Sequence, residues 1–124
     1  MLLQYLMIGV GGFFGAISRF FVSTQVQKLS NSFFPFGTLT VNMLGCLLIG
    51  FLFGAVNSTQ LFSLSVKHLL NTGFIGAFTT FSTFGYETFI LIRDKKFIQA
   101  LANILIQIVV GILAISLGYW VFNI

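Results

Sequence analysis

Long stretches of this chain carry no charged side chain. Residues 2–18, 29–66, 68–86 and 97–124 contain no Asp, Glu, Lys or Arg. Such stretches cannot serve as the surface of a soluble domain, where about 25% of residues are charged. Here 6% of residues are charged and 57% are hydrophobic, with a mean hydropathy of +1.04. Roughly 20 apolar residues cross a bilayer, so 124 residues hold four spans and short loops. The expected fold is an all-α integral membrane protein, multi-pass in the cell membrane. Residues 1–124 form one unit with spans at about 2–22, 36–56, 66–92 and 97–122. A chain this small cannot enclose a wide aqueous path alone, so a transporter of this size assembles from several copies.

The net charge of +4 comes from six basic residues against Glu87 and Asp94. The basic residues sit mostly at span ends, where they meet lipid headgroups and orient the chain. So little polar surface leaves no place for nucleic acid. Lys28, Arg93, Lys95 and Lys96 fall in the first and third loops, whereas Lys67 lies by the second. This bias predicts the first and third loops inside and both termini outside. Residues 23–35 read as the first loop, closed by the only proline, and residues 57–65 as the second. Cys46 is the single cysteine, a small buried hydrophobe with no disulfide partner. His68 reads as a wetted interfacial residue. No Ser/His/Asp set, carboxylate pair, nucleotide loop or metal-ligand cluster is visible, so the chain is not expected to be an enzyme.

The first span concentrates Gly9, Gly11, Gly12 and Gly15, and Gly11 with Gly15 makes a GxxxG pair suited to close helix packing. Arg19 near its end either snorkels to the interface or steers anions. In the second span, Asn42 is costly in lipid unless bonded, either to another helix or to a permeating ion. In the fourth span, Asn103 and Gln107 stand i, i+4 on one face, and Tyr119 with Trp120 suits an interfacial belt.

The informative stretch is residues 73–87. It combines Gly73, Gly76 and Gly85 with hydroxyls at Thr79, Thr80, Ser82 and Thr83. Phe78, Phe81 and Phe84 fall at i, i+3, i+6, a stripe on one side of a helix. Hydroxyls at membrane depth need partners, and glycines let a helix break or a backbone approach. Neutral donors beside phenyl rings, whose edges are positive, suit a small anion stripped of water. These residues permit fluoride without selecting it.

Three motifs carry a resemblance. Gly76-Ala77-Phe78-Thr79-Thr80-Phe81-Ser82-Thr83-Phe84 resembles the GGxTTFSTF signature of the Fluc (CrcB) fluoride channels. Gly37-Thr38-Leu39-Thr40-Val41-Asn42-Met43-Leu44-Gly45 is similar to their GTLxVNxxG motif, and Gly11-Gly12-Phe13-Phe14-Gly15-Ala16-Ile17-Ser18-Arg19 to their GGxxGAxxR motif. The resemblance implies passive export of cytoplasmic fluoride, which relieves its toxicity. It implies an antiparallel, dual-topology dimer with two pores lined by both subunits. It implies Phe81 and Phe84 as pore phenylalanines, Asn42 as the pore amide, and Thr80, Ser82 and Thr83 beside them. It implies a third helix broken mid-membrane, at Gly76, with a structural sodium ion on the carbonyls of Gly76 and Thr79. Arg19 and Glu87 match the family's first-span arginine and its acid after the signature. Where the family has a tyrosine and a serine along the fourth span, this chain has Asn103 and Gln107. The charge bias also departs from a strict dual-topology homodimer, so the second subunit is either an identical or a homologous chain.

A proton-coupled exporter of the small multidrug type is the rival reading. It requires a carboxylate in the first span, and residues 2–22 contain none. A scaffold whose glycines only pack helices leaves the hydroxyl and phenylalanine pattern unexplained.

Overall fold

The computed structural model describes residues 1–58 and 63–121, and among these every regular element is helical. Helix α1 covers Leu2–Ser30, α2 Phe36–Ser58 and α6 Phe97–Trp120. These three are long and apolar enough to cross a membrane. Between α2 and α6 lies an interrupted helix: α3 (Leu64–Lys67), a π-helical turn (His68–Ile75), α4 (Gly76–Phe78) and α5 (Phe81–Arg93). Part of the expected loop at 57–65, and residue 122 at the end of the last expected span, lie outside the described residues.

Helix α1 runs eight residues past the expected span end, so the polar segment from Ser23 to Ser30 is helical and not a loop. Nothing in Ser23-Thr24-Gln25-Val26-Gln27-Lys28-Leu29-Ser30 breaks a helix, and Gln, Lys and Leu favour one. Lys28 in the last turn complements the carbonyl end, and Asn31 ends the helix in the left-handed region at φ 44°. The Gln27 side chain then ties the turn together. Its amide donates to Ser32 O at 2.7 Å and Phe34 O at 3.2 Å, and accepts from Gly37 N at 3.0 Å. Lys96 Nζ sits 3.4 Å from the Phe33 ring centroid, so the 31–35 and 94–96 turns share one end of the molecule.

Glycines set the packing. A Cβ at Gly11 would collide with the Leu69 carbonyl, and one at Gly15 with the Phe74 carbonyl, so α1 lies backbone to backbone on the π-helical segment. Gly50 and Gly118 do the same for α2 against α6. Lipid offers no hydrophobic drive for helix association, so such close backbone contact supplies the dispersion energy.

The interruption falls at Thr79 (ψ 161°) and Thr80 (φ −152°, ψ 123°), both extended. Gly76, the expected break point, is helical at φ −59°, ψ −34°. The break also divides the phenylalanine stripe. Phe78 is buried and stacks on Phe74 at 5.7 Å, while Phe81 lies beyond the break with 81% of its surface exposed.

Candidate functional site

The break is held by one side chain from α2. The Thr80 amide N–H, freed from its helical partner, donates to Asn42 Oδ1 at 2.9 Å, and Asn42 Nδ2 donates back to Thr80 O at 3.0 Å. An unpaired buried peptide group costs about 1–3 kcal/mol, so this clasp is what lets an extended residue sit among apolar helices. Thr80 Oγ1 then caps α5. It accepts from Thr83 N at 3.2 Å, donates to Thr83 Oγ1 at 3.1 Å and lies 3.4 Å from Ser82 Oγ. Thr79 Oγ1 donates back to Ile75 O at 3.1 Å. Thr80 is buried, whereas Ser82 and Thr83 are exposed.

Asn42 Nδ2 also donates to Gln107 Oε1 of α6 at 3.1 Å, so both of its hydrogens are engaged within the chain. Gln107 Nε2 is buried with no partner. Beside this network runs a groove of about 380 Å³ lined by Met43, Cys46, Thr80, Phe81, Phe84 and Gln107. The Phe81 and Phe84 rings stand 5.6 Å apart and tilted by 57°, so the pair presents edges as well as faces. Gly45 admits the break itself, for a Cβ there would collide with the Thr79 methyl group.

A second cavity of about 250 Å³ is lined by Arg19, Ser23, Thr38, Thr80 and Thr83. It combines one guanidinium with four hydroxyls, and it shares Thr80 with the groove. Arg19 Nη1 donates to Thr79 O at 3.3 Å, so this arginine is drawn to the break and not only to the interface. Thr38 Oγ1 donates to Glu87 Oε1 at 2.7 Å, and Glu87 Oε2 is buried without a partner. Sequence reasoning passed over Thr38 as a site residue. Its signal was its place four residues before Asn42, on the same face of α2. Beyond Glu87, the exposed Arg93 and Asp94 pair at 2.9 Å. The guanidinium hydrogen bond holds the Asp94 carboxyl below its usual range and raises Arg93.

Asn103 and Gln107 part company. Gln107 lines the groove, whereas Asn103 is fully buried and donates to Thr88 Oγ1 of α5 at 2.9 Å. Asn103 therefore contacts the interrupted helix one turn away from the groove, and does not continue a polar track with Gln107.

Gly76 and Thr79 can be tested as cation ligands on their carbonyls. Thr80 N–H bonds Asn42 and not the Gly76 carbonyl four residues back, and a helix end leaves its last carbonyls free. The Thr79 carbonyl accepts from Arg19 and keeps a second lone pair. Neutral oxygens of this kind suit a hard monovalent cation at a broken helix. Among the described residues no His/Cys/Asp/Glu cluster would bind a transition metal.

Residues 6–119 match the family model described as CrcB-like protein, Camphor Resistance (CrcB). The chain is 50% identical over 105 residues to the protein of Nitratiruptor sp. named fluoride-specific ion channel FluC, covering 85% of this chain and 80% of that one. Proteins of the same name from Nautilia profundicola and Nitratidesulfovibrio vulgaris are 42% and 39% identical. These alignments span 92% and 93% of this chain, and 89% and 93% of the relatives. With the family model spanning nearly the whole chain and relatives at this identity over most of it, this multi-pass membrane protein belongs to the CrcB family.

Proposed function

We propose that this chain is a fluoride-selective channel that lets cytoplasmic fluoride leave passively across the plasma membrane, relieving its toxicity. It is a conduit and not an enzyme. The observation that carries the proposal is the break at Thr79–Thr80. There, neutral hydrogen-bond donors and two tilted phenyl rings line one groove with no ionised side chain in it. Relatives aligned over most of this chain bear the name fluoride-specific ion channel.

In this proposal a hydrated anion is drawn into the Arg19 cavity by the guanidinium. Ser23, Thr38 and Thr80 donate their hydroxyl hydrogens within the chain, so the Thr83 hydroxyl replaces part of the anion's water. It passes Thr80 into the groove, where the ring edges of Phe81 and Phe84 complete the replacement. A small hard anion gains most from close donors in a narrow path, and chloride gains less. Glu87, hydrogen-bonded to Thr38, fixes the hydroxyl at the edge of the Arg19 cavity.

The groove is open on one side, and Phe81 is among its most exposed residues. We assign the covering surface to a second subunit, identical or homologous, in an antiparallel dimer with two pores and four crossing helices per chain. A sodium ion held by the Gly76 and Thr79 carbonyls of both subunits would lock the two breaks together. It has no part in conduction.

The test is fluoride efflux from liposomes holding this chain alone, followed with an ion-selective electrode under a potential clamped by an ionophore. Fast fluoride loss without chloride loss is expected. If neither this chain nor its mixture with a homologous subunit releases fluoride, the channel assignment fails.

A further inference from the structure

We infer that the cleft between the end of α2 and the start of the interrupted helix seats one anionic phospholipid, with its phosphate on Lys67 and Asn71 and an acyl chain in the cleft. The cleft shares no lining residue with the groove at the break, so the inference does not rest on the channel assignment.

Charge is the first ground. Gly11 of α1 lies against Leu69 and Gly15 against Phe74, so α1 and the π-helical segment run in the same direction. Lys67 therefore lies toward the start of α1, at the end of the molecule opposite the 31–35 and 94–96 turns. The only two acidic side chains are engaged elsewhere. Glu87 accepts from Thr38, and Asp94 pairs with Arg93. No Asp or Glu is left for Lys67, which is half-buried. A cation held against apolar side chains needs a counter-charge, and at the end of a membrane span the headgroup phosphate supplies it.

Shape is the second. Helix α3 packs on α1 and the π-helical segment and, among the described residues, not on α2. The gap is a cleft of about 140 Å³ lined by Leu52, Phe53, Val56, Lys67, Leu70 and Asn71. Phe53 and Val56 lie in the last two turns of α2, and Lys67 closes α3, so the cleft opens where lipid tails meet headgroups. A water's share of the liquid is about 30 Å³, so a few methylene groups fit the space. The four apolar side chains give water too few partners to hold it there, and an empty gap forfeits dispersion contacts. An acyl chain satisfies both. Lys67 offers three donors and the Asn71 amide two, and neither side chain bonds another described residue. One phosphodiester can accept from both. A zwitterionic headgroup brings its own cation, which competes with Lys67 for the phosphate, whereas a net-anionic headgroup brings none.

The test is native mass spectrometry of the full chain in detergent, titrated with phosphatidylglycerol or with phosphatidylcholine of the same acyl chains. The thermal midpoint is followed in parallel. One phosphatidylglycerol retained per subunit and a saturable rise in the midpoint are expected, with phosphatidylcholine bound about tenfold more weakly. Lys67→Gln should weaken phosphatidylglycerol binding about tenfold, and Lys67→Arg should keep it. Lys28→Gln, at the opposite end, should change nothing. Val56→Phe fills the cleft and leaves the lysine in place, so loss of the retained lipid there separates a seated chain from general attraction to charge. Equal binding of the two lipids overturns the inference on the unaltered chain, whether or not a variant folds. Retention unchanged in folded Lys67→Gln or Val56→Phe also overturns it. So does an equal rise in midpoint with glycerol phosphate, which carries the charge and no chain.

Discussion

Asn42 closes three hydrogen bonds with one amide, two to Thr80 and one to Gln107. Replacing it with alanine strands a buried N–H and a buried carbonyl. Asn42→Ala should therefore lower stability by ~2 kcal/mol or more, seen as a fall in the thermal midpoint in detergent, together with loss of flux. Phe81 behaves oppositely, because its ring is largely exposed in the single chain and little of the chain's own packing rests on it. Phe81→Ile should leave the midpoint nearly unchanged and reduce fluoride efflux by about tenfold or more, as the ring-edge contacts are lost. The residue types at the site were legible in the sequence, because Asn, Thr and Ser at membrane depth demand partners. Their partners were not. Asn103 and Gln107 stand on one face of α6, yet that face meets α5 at one level and α2 at the next, so one side chain finds Thr88 and the other Asn42.

At the level of elements, Gly11 and Gly15 were rightly marked as packing residues by their spacing, and they let α1 touch the π-helical segment. Gly15→Val should separate the two backbones and destabilise the fold by about 1–3 kcal/mol, read as earlier thermal unfolding and a lower yield of folded protein. Gly9 has nothing within 4 Å of a built Cβ, so Gly9→Ala should leave both measurements unchanged in the single subunit. The break itself was legible as a tendency and not as a position. Glycine tolerates a helix as well as a break, and Gly76 stays helical because nothing draws its backbone elsewhere. Thr80 leaves the helix because Asn42, distant in sequence, offers both a donor and an acceptor. The extent of α1 was hidden by polarity, for Ser23 to Ser30 is hydrophilic and a good helix at the same time.

Over the whole molecule, most charge lies toward the ends, while Arg19, bonded to the Thr79 carbonyl, and Glu87, bonded to Thr38, sit between them. The turns at 31–35 and 94–96 lie together with Lys28, Arg93, Lys95 and Lys96 near them, as the pairing of first and third loops required. The Arg93–Asp94 pair is exposed, and exposed pairs contribute little. Its sign is still defined. Asp94 has a depressed value in the fold, so its contribution is present above the ordinary aspartate range and is lost as pH falls through the lowered one. Asp94→Asn should therefore leave the thermal midpoint near neutral pH almost unmoved, and should remove what small acid dependence this pair contributes. Helix α1, at 29 residues, is about 43 Å long. That exceeds a hydrocarbon core of roughly 30 Å, so its last turns lift the basic end clear of the lipid tails.

A continuous helix through the bilayer behaves as one electret, with its poles at the two surfaces. Cutting it near the middle makes two shorter electrets laid in series, with unlike poles brought together at Thr79 and Thr80. The interruption then holds a negative pole of carbonyls and a positive pole of amides a few ångströms apart, with the Arg19 guanidinium bonded to the Thr79 carbonyl. Among the described residues the groove is lined by no Asp, Glu, His, Lys or Arg, so it carries no ionised side chain for membrane voltage to move. Current through such a path should follow the ion gradient and the applied potential linearly, with no voltage gate to open.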